Sequence, residues 1–167
     1  HGTGHTGADD VADVQLPTPE TCKLCHPQQY EQYARGKHAL AWAAMEAMPL
    51  LRHQPGAVGG TDMKGCSGCH KIGLKSEAEI QDLKQKGSGF GVASCDACHT
   101  RHTFSVTEAR QPQACQTCHM GFDHPQWEMW SSSKHGIAHL APGGKERGPS
   151  CQKCHFPGGD HENITAW

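Results

Sequence analysis

The sequence predicts an all-α fold with much irregular loop, and three observations support this class. Only 35% of the residues are hydrophobic, which is low for a chain that builds its interior from side chains alone. The 20 glycines and 10 prolines break the chain into short segments. Several of these segments show apolar residues near helical spacing. We therefore expect short helices, many loops and few strands.

All 10 cysteines belong to five copies of the motif Cys-x-x-Cys-His. The motif cysteines are Cys22, Cys25, Cys66, Cys69, Cys95, Cys98, Cys115, Cys118, Cys151 and Cys154, and the motif histidines are His26, His70, His99, His119 and His155. This motif attaches a c-type haem, since two thiols form thioethers and the histidine becomes the proximal iron ligand. A zinc site is the main alternative, but it requires the adjacent histidine to recur five times by accident. The motifs predict five haem c groups.

Covalent haem also accounts for the shortage of apolar side chains, because each macrocycle is a large flat apolar body. The predicted fold is therefore a multihaem cytochrome c built around covalent haems. At 167 residues the chain is one domain by length. Residues 1–21, which are polar and rich in glycine and proline, predict an extended N-terminal arm, and residues 22–167 predict a single pentahaem domain.

Two helices are predicted in the first half of the chain. One begins at Pro27, which suits a first helical turn, carries His38 and stops at Pro49. The other starts at the capping-box sequence Ser76–Glu79 and ends at Gly87. The second of these is charged on most sides, so a solvated surface helix is its simplest interpretation.

A third helix is predicted after the fourth motif. Asp123 is its expected N-cap and Pro125 its first helical residue. Gly136 is expected to end it, which places His135 at its C-terminal end. The glycines and prolines of residues 137–150 predict a loop before the last motif.

Nine of the 14 histidines lie outside the motifs, at positions 1, 5, 38, 53, 102, 124, 135, 139 and 161. Five irons need at most five distal ligands. Two histidines on one iron leave no vacant site and suit electron transfer, whereas an iron without a sixth ligand can bind a small molecule. We expect His38 to be an axial ligand. His1 and His5 are expected in solvent, with haem ligation across a subunit interface as the alternative, and His53 stays open between the two.

Charge and hydropathy exclude two kinds of partner. The formal net charge of −2 argues against nucleic acid, and ionised haem propionates make the assembled protein more acidic. No apolar run approaches the roughly 20 residues of a membrane span. Because haem is attached outside the bacterial cytoplasm, we expect a periplasmic or extracellular protein. The chain starts at His1, so any export signal is expected to be already removed or not included.

The sequence resembles the octahaem hydroxylamine oxidoreductase family along nearly its whole length. The resemblance is carried by Thr18–Cys22, Lys37–Ala39, Gly65–Lys71, Cys98–Ser105, Cys118–Gln126 and Ser133–Gly136. Members of that family oxidise hydroxylamine or hydrazine, or reduce related nitrogen oxides, and they are typically oligomers. The resemblance thus implies a homo-oligomer with a small nitrogen compound as its possible substrate.

The resemblance also implies roles for individual residues. The haem on His70 corresponds to the active-site haem with an open distal face, and Asp123 and His124 correspond to the acid/base pair above it. His38, His102, His135 and His161 correspond to distal ligands of electron-transfer haems. Four distal ligands and one open iron match five haems.

The sequence departs from the family pattern in three respects. It has five haem motifs where the family has eight, it lacks the C-terminal region with a cross-linking tyrosine, and Trp130 stands where a tyrosine is common. These departures favour an electron carrier with mostly bis-histidine haems, served by a redox partner protein or neighbouring cytochrome. The alternative is an oxidoreductase at an open His70 haem, in which His124 moves protons and Asp123 orients it. A third hypothesis is a haem-bearing subunit of an extracellular filament.

Overall fold

The computed structural model describes residues 17–49, 69–70, 94–100, 102–144 and 147–163. Within these ranges the chain forms short helices joined by turns and loops, and no strand occurs among them. The predicted all-α class with much irregular loop is confirmed. None of the helices in these ranges is long and apolar enough to cross a membrane.

The described residues fall into two compact units. The first unit holds those up to Glu31 and from His38 to Cys95, and the second holds Gln32–Lys37 and those from Asp96 onward. The extended arm and the single pentahaem domain stay predictions, since residues 1–16 lie outside the described ranges. The predicted helix at residues 76–87 also lies outside them.

Short helical segments account for most of residues 19–46. They are α1 (Pro19–Lys23), α2 (Pro27–Arg35), a 3-10 turn (Lys37–Leu40) and α3 (Ala41–Glu46). Proline begins both α1 and α2, where its missing N–H would have no helical partner. Helix α1 contains Cys22, the first haem-motif cysteine.

The predicted single helix from Pro27 to Pro49 is wrong, because the helix breaks at Gly36. Glycine destabilises a helix interior. A Cβ at this position would lie 2.6 Å from Oδ1 and 3.0 Å from the backbone nitrogen of Asn163, so any side chain there would crowd that residue. His38 consequently lies in the 3-10 turn that follows the break.

Five further helices lie in the second unit. Within its described residues these are α4 (Val106–Ala109), α5 (Gln113–Gln116), α6 (Gln126–Ser132), α7 (Lys134–Leu140) and α8 (Cys151–His155), with a 3-10 turn at Pro157–Gly159. Another 3-10 turn, Cys95–Ala97, lies where the first unit ends and the second begins. The amide of Gln152 in α8 donates to the carbonyls of Ala109 and Gln111 at 2.8 and 2.6 Å. These bonds fix α8, which is the fifth motif, against the segment between α4 and α5.

The predicted third helix is two helices joined at Ser133. The Ser133 hydroxyl donates to the Trp130 carbonyl at 2.7 Å and accepts from the Gly136 N–H at 3.2 Å. One side chain thus ends α6 and caps α7, and His135 lies in the first turn of α7 rather than at a helix end. The N-cap residue of α6 is Pro125, so the prediction of an Asp123 cap is also wrong.

Gly136 has a different role from the predicted C-cap. It lies inside α7, is buried, and a Cβ there would overlap the Trp130 carbonyl oxygen. Glycine is needed because the start of α7 lies directly against the end of α6. The helix then continues to Leu140, so the predicted loop of residues 137–150 begins only after that residue.

Candidate haem sites

The fourth motif, Cys115–His119, forms a single closed turn at the end of α5. The N–H groups of Cys118 and His119 donate to the Cys115 carbonyl at 3.2 and 3.0 Å. Residues three and four positions apart share one face of such a turn. Both thiols and the imidazole therefore project from one side, which is the arrangement that attachment to one macrocycle requires.

The other described motifs use the same local geometry. In the first, the N–H groups of Cys25 and His26 donate to the Cys22 carbonyl at 3.2 and 2.9 Å. The fifth motif is helical throughout as α8, and the third begins with the 3-10 turn Cys95–Ala97. Of the second motif, Cys69 and His70 are described and helical, while Cys66 lies outside the described ranges.

Two pairs of motifs meet at their first cysteines. In the first unit the side chains of Cys22 and Cys95 lie next to each other, and in the second unit the side chains of Cys115 and Cys151 do so. Each of these cysteines is the first attachment point of its motif. Each contact therefore brings together the attachment points of two haems that are far apart in the sequence.

The protein environment of three motif cysteines favours neutral sulfur. Burial and the neighbouring Cys22 raise the pKa of Cys95 to about 12, and burial beside Asp96 raises the pKa of Cys98. The hydrogen bond to Cys151, together with burial, raises the pKa of Cys115. The same hydrogen bond lowers the pKa of Cys151 to about 7, so one thiol of this pair donates to the other.

The raised pKa values of Cys95, Cys98 and Cys115 oppose the thiolate form, whereas the lowered pKa of Cys151 favours it. Zinc is bound by thiolates, so its ligands must lose their protons. A thioether sulfur is neutral and carries no proton, and burial does not oppose it. Among the described residues, no three His, Cys, Asp or Glu side chains gather closely enough to hold a metal ion by themselves.

Large apolar side chains near the motifs lie on the surface. Leu24, between the two cysteines of the first motif, is 86% exposed, and Phe122, three residues after His119, is fully exposed. Covering such a side chain is worth about 1.5–3 kcal/mol. These positions fit a fold whose apolar surface is completed by covalently bound macrocycles.

The rings of His99 and His161 form a parallel pair. Their centres are 6.2 Å apart and their planes differ by 14°. Since imidazole nitrogen binds a first-row metal at about 2.0 Å, two rings on opposite sides of one iron have centres roughly 6 Å apart. The buried Nδ1 of His161 has no hydrogen-bond partner. The pair therefore has the spacing of two axial ligands of one haem.

His139 is one of the histidines to which the sequence assigned no role. It is buried in α7, and its Nδ1 lies 2.8 Å from the Gly148 carbonyl oxygen. The only sequence signal was its position four residues after His135, which places both on one face of a helix. The helix itself was missed because the segment was predicted to be a loop.

The other three predicted distal haem ligands lie in different parts of the chain. His38 is half-buried in the 3-10 turn after α2, His102 is exposed in the turn before α4, and His135 is exposed at the start of α7. Their roles as distal ligands stay predictions. His1, His5 and His53 lie outside the described ranges.

The proposed acid/base pair is exposed. Asp123 and His124 lie in the turn before α6, where the His124 carbonyl accepts from the N–H of Gln126 at 2.9 Å. His70 belongs to the first unit and these two residues to the second. The predicted site that combines all three residues stays a prediction.

Comparison with protein families gives a match to the family described as seven times multihaem cytochrome CxxCH, over residues 1–145. The matched residues contain the first four motifs of the chain, and the fifth motif, Cys151–His155, follows them. The family and this chain therefore share the attachment chemistry, whereas the number of motifs differs.

The chain is much shorter than the proteins that it resembles, two of which are from Kuenenia stuttgartiensis. The chain is 31% identical to a probable nitrite reductase–hydroxylamine oxidoreductase fusion protein, over 97% of the chain and 19% of that protein. It resembles the structure of a reducing hydroxylamine oxidoreductase-like protein complex with a TM-score of 0.56 and 30% identity, covering 91% of the chain and 30% of the other. A hypothetical multihaem protein gives a TM-score of 0.62 at 26% identity, covering 86% and 36%. The chain thus spans less than two fifths of each relative.

Proposed function

The chain belongs to the multihaem cytochrome family with Cys-x-x-Cys-His haem attachment, and we propose that it carries electrons through five covalently bound haem c groups. When bound, haem c supplies a one-electron iron couple. The paired cysteines form the thioethers, and the motif histidines His26, His70, His99, His119 and His155 hold the irons from one side.

The contact between first cysteines is the observation that carries this proposal. Electron transfer requires haems close to one another, and the chain joins attachment points in pairs, Cys22 with Cys95 and Cys115 with Cys151. A haem that acted alone would need no such pairing. The pairs link motifs from different parts of the sequence, so the arrangement is a property of the fold and not of motif spacing.

Axial ligation by two histidines supports the same proposal. The parallel rings of His99 and His161 have the spacing of ligands on opposite faces of one iron. Such an iron has no vacant position for a substrate and changes only its oxidation state. His38, His102 and His135 complete the proposed set of distal ligands.

The test is to count the haems and to determine their spin state. Mass spectrometry of the purified protein should give the polypeptide mass plus five haems, and the ferric EPR spectrum should be dominated by low-spin signals. Stepwise reductive titration should reduce all the haems. A variant with Cys115→Ala and Cys118→Ala should lose one haem and keep four. A colourless preparation with reactive thiols contradicts the proposal.

The proposed setting follows from the attachment chemistry. Because haem c is attached outside the bacterial cytoplasm, we infer a periplasmic or extracellular protein. Its proposed partners are a redox protein or a neighbouring cytochrome, and further copies of the same chain. The similar structure from Kuenenia stuttgartiensis is a protein complex, which supports a partner of this kind.

A second candidate function is oxidoreduction of a small nitrogen compound at an open His70 haem. It is favoured by the names of two relatives, one a probable nitrite reductase–hydroxylamine oxidoreductase fusion protein. Here His124 would move protons and Asp123 would orient its imidazole. Both side chains are exposed in the second unit, and the N-cap of α6 is Pro125 and not Asp123.

This candidate requires a high-spin ferric signal in the wild-type protein that a Cys66→Ala variant loses. It also requires His124→Ala to slow turnover of hydroxylamine or nitrite, with Gln126→Ala as the control on the same turn. Unchanged turnover in the His124 variant eliminates the acid/base role. A wholly low-spin wild-type spectrum eliminates the open haem and leaves electron transfer as the function.

A further inference from the structure

The ring of His139 is held in one orientation inside the second unit. The residue is 8% exposed, and its Nδ1 lies 2.8 Å from the carbonyl oxygen of Gly148. A carbonyl only accepts hydrogen bonds, so Nδ1 must carry the proton. The Nε2 atom of the neutral ring is then an unprotonated lone-pair donor. This is the tautomer in which a histidine binds a metal through Nε2.

A backbone carbonyl that accepts from the second ring nitrogen is the common partner of a metal-bound histidine. It fixes the tautomer and the ring orientation, and it raises the basicity of the ligating nitrogen. Trp130 holds the same ring from the side, edge to face, with the ring centres 5.5 Å apart and the planes at 63°. The Trp130 indole is itself fixed by donation to the Pro149 carbonyl at 3.1 Å.

Two glycines of the loop after α7 allow the Gly148 carbonyl to reach the His139 ring. A Cβ at Gly148 would overlap the carbonyl oxygen of His135, and a Cβ at Gly144 would overlap that of Ala138. The loop can lie directly on the last turns of α7 only because these two residues are glycines. Both glycines are buried. The Gly148 carbonyl is thus held against the buried imidazole of His139, because Gly144 and Gly148 both pack directly on the backbone of α7.

His139 also lines a cavity of about 360 Å³. Gln111, Gln113 and Leu140 form other parts of its wall. Gln113 lies two residues before Cys115, and the carbonyl of Gln111 accepts from Gln152, the residue after Cys151. The cavity is therefore lined by a segment that adjoins the fourth motif, and Gln152 of the fifth motif is hydrogen-bonded to that segment.

We propose that His139 is an axial ligand of a haem iron, in one of the two haems attached at Cys115 and Cys151. The proposal rests on the proposed five-haem function and extends it. His161 already faces His99, so the iron that His139 completes is the one held by His119 or by His155. With His139, five distal histidines match five proximal ones and no iron is left open, which favours electron transfer over catalysis.

The experiment compares the ferric EPR spectra of the wild-type holoprotein and two His139 variants. In His139→Gln the amide can still donate to the Gly148 carbonyl, but no imidazole remains. We expect one of the five haems to become high-spin while the haem count stays at five, and added imidazole should restore the low-spin spectrum. In His139→Met the thioether can bind iron, so that haem should stay low-spin with a raised midpoint potential.

The matched control is Ile137→Val, at an exposed position of the same helix, which should leave the spin state unchanged. The proposal is overturned if His139→Gln retains five haems with an EPR spectrum and a redox titration that coincide with those of the wild type. That result leaves the electron-transfer function standing. A wild-type protein that carries no haem contradicts the proposed function itself.

Discussion

The ring centres of His99 and His161 are 6.2 Å apart, and in the proposed function the two imidazoles are the axial ligands of one iron. We predict that His161→Ala converts one of the five haems from low-spin to high-spin, because no second ligand remains opposite His99. Ferric EPR at a constant haem-to-protein ratio measures the change. Imidazole added to this variant should reverse it.

Glu162→Gln is the control for the His161 substitution. Glu162 is the neighbouring residue and pairs with Arg35 at 2.9 Å, so its substitution disturbs the same segment without touching an imidazole. The spin state of this control should equal that of the wild type. If His161→Ala remains entirely low-spin, the assignment of His161 opposite His99 is wrong.

Single residues also show what could be predicted from the sequence. The proximal histidines follow directly from the motif, because attachment chemistry fixes their position next to the second cysteine. The partner of His99 could not be predicted from spacing, since His161 approaches it only through folding of the second unit. His139 was left without a role for a related reason, because its hydrogen bond to Gly148 depends on a loop whose path is not encoded locally.

The two helices α6 and α7 depend on one hydroxyl at their junction. Ser133 caps the start of α7 through the Gly136 N–H and satisfies the Trp130 carbonyl at the end of α6. We predict that Ser133→Ala lowers the free energy of unfolding of the holoprotein by about 1 kcal/mol, the usual loss for an N-cap. Chemical denaturation followed by far-ultraviolet circular dichroism measures it.

Two variants at the same junction test whether loss of the N-cap causes the lower stability of Ser133→Ala. Ser133→Thr keeps a hydroxyl and should lose much less stability than the alanine variant. Ser132→Ala removes a hydroxyl that donates to the Glu128 and Met129 carbonyls within α6, so stability should be unchanged or slightly raised. An equal loss in Ser132→Ala and Ser133→Ala would show that the cap is not the cause.

Helix boundaries were the least predictable feature, because a glycine can either end a helix or allow a close contact with another part of the chain. Gly136 was interpreted as a helix end, yet it allows the start of α7 to lie against the Trp130 carbonyl. Gly36 was read as part of a continuous helix, yet it breaks that helix where the chain meets Asn163. In both cases a tertiary contact decides the role, whereas the existence of the helices followed from local apolar spacing and proline.

The described part of the chain buries few hydrophobic side chains, so its side chains alone form very little hydrophobic core. Apart from the prolines Pro19 and Pro112, only Ala39 and Met45 among its hydrophobic residues are buried. Burying one large side chain is worth about 1.5–3 kcal/mol, whereas ordering one residue of backbone costs about 1–2 kcal/mol. The composition predicted this deficit, and haem attachment is its proposed remedy.

Stability of the whole chain should therefore depend on covalent haem. We predict that a variant with all 10 cysteines replaced by alanine has little helical circular dichroism, no cooperative thermal transition and rapid proteolysis, while the wild-type holoprotein unfolds cooperatively. Alanine favours helices at least as well as cysteine, so local propensity cannot cause the loss. The variant with only Cys115→Ala and Cys118→Ala is the graded control, and it should lose part of the stability with one haem. If the cysteine-free chain folds cooperatively, the polypeptide is stable without haem. The macrocycles would then not supply the hydrophobic core.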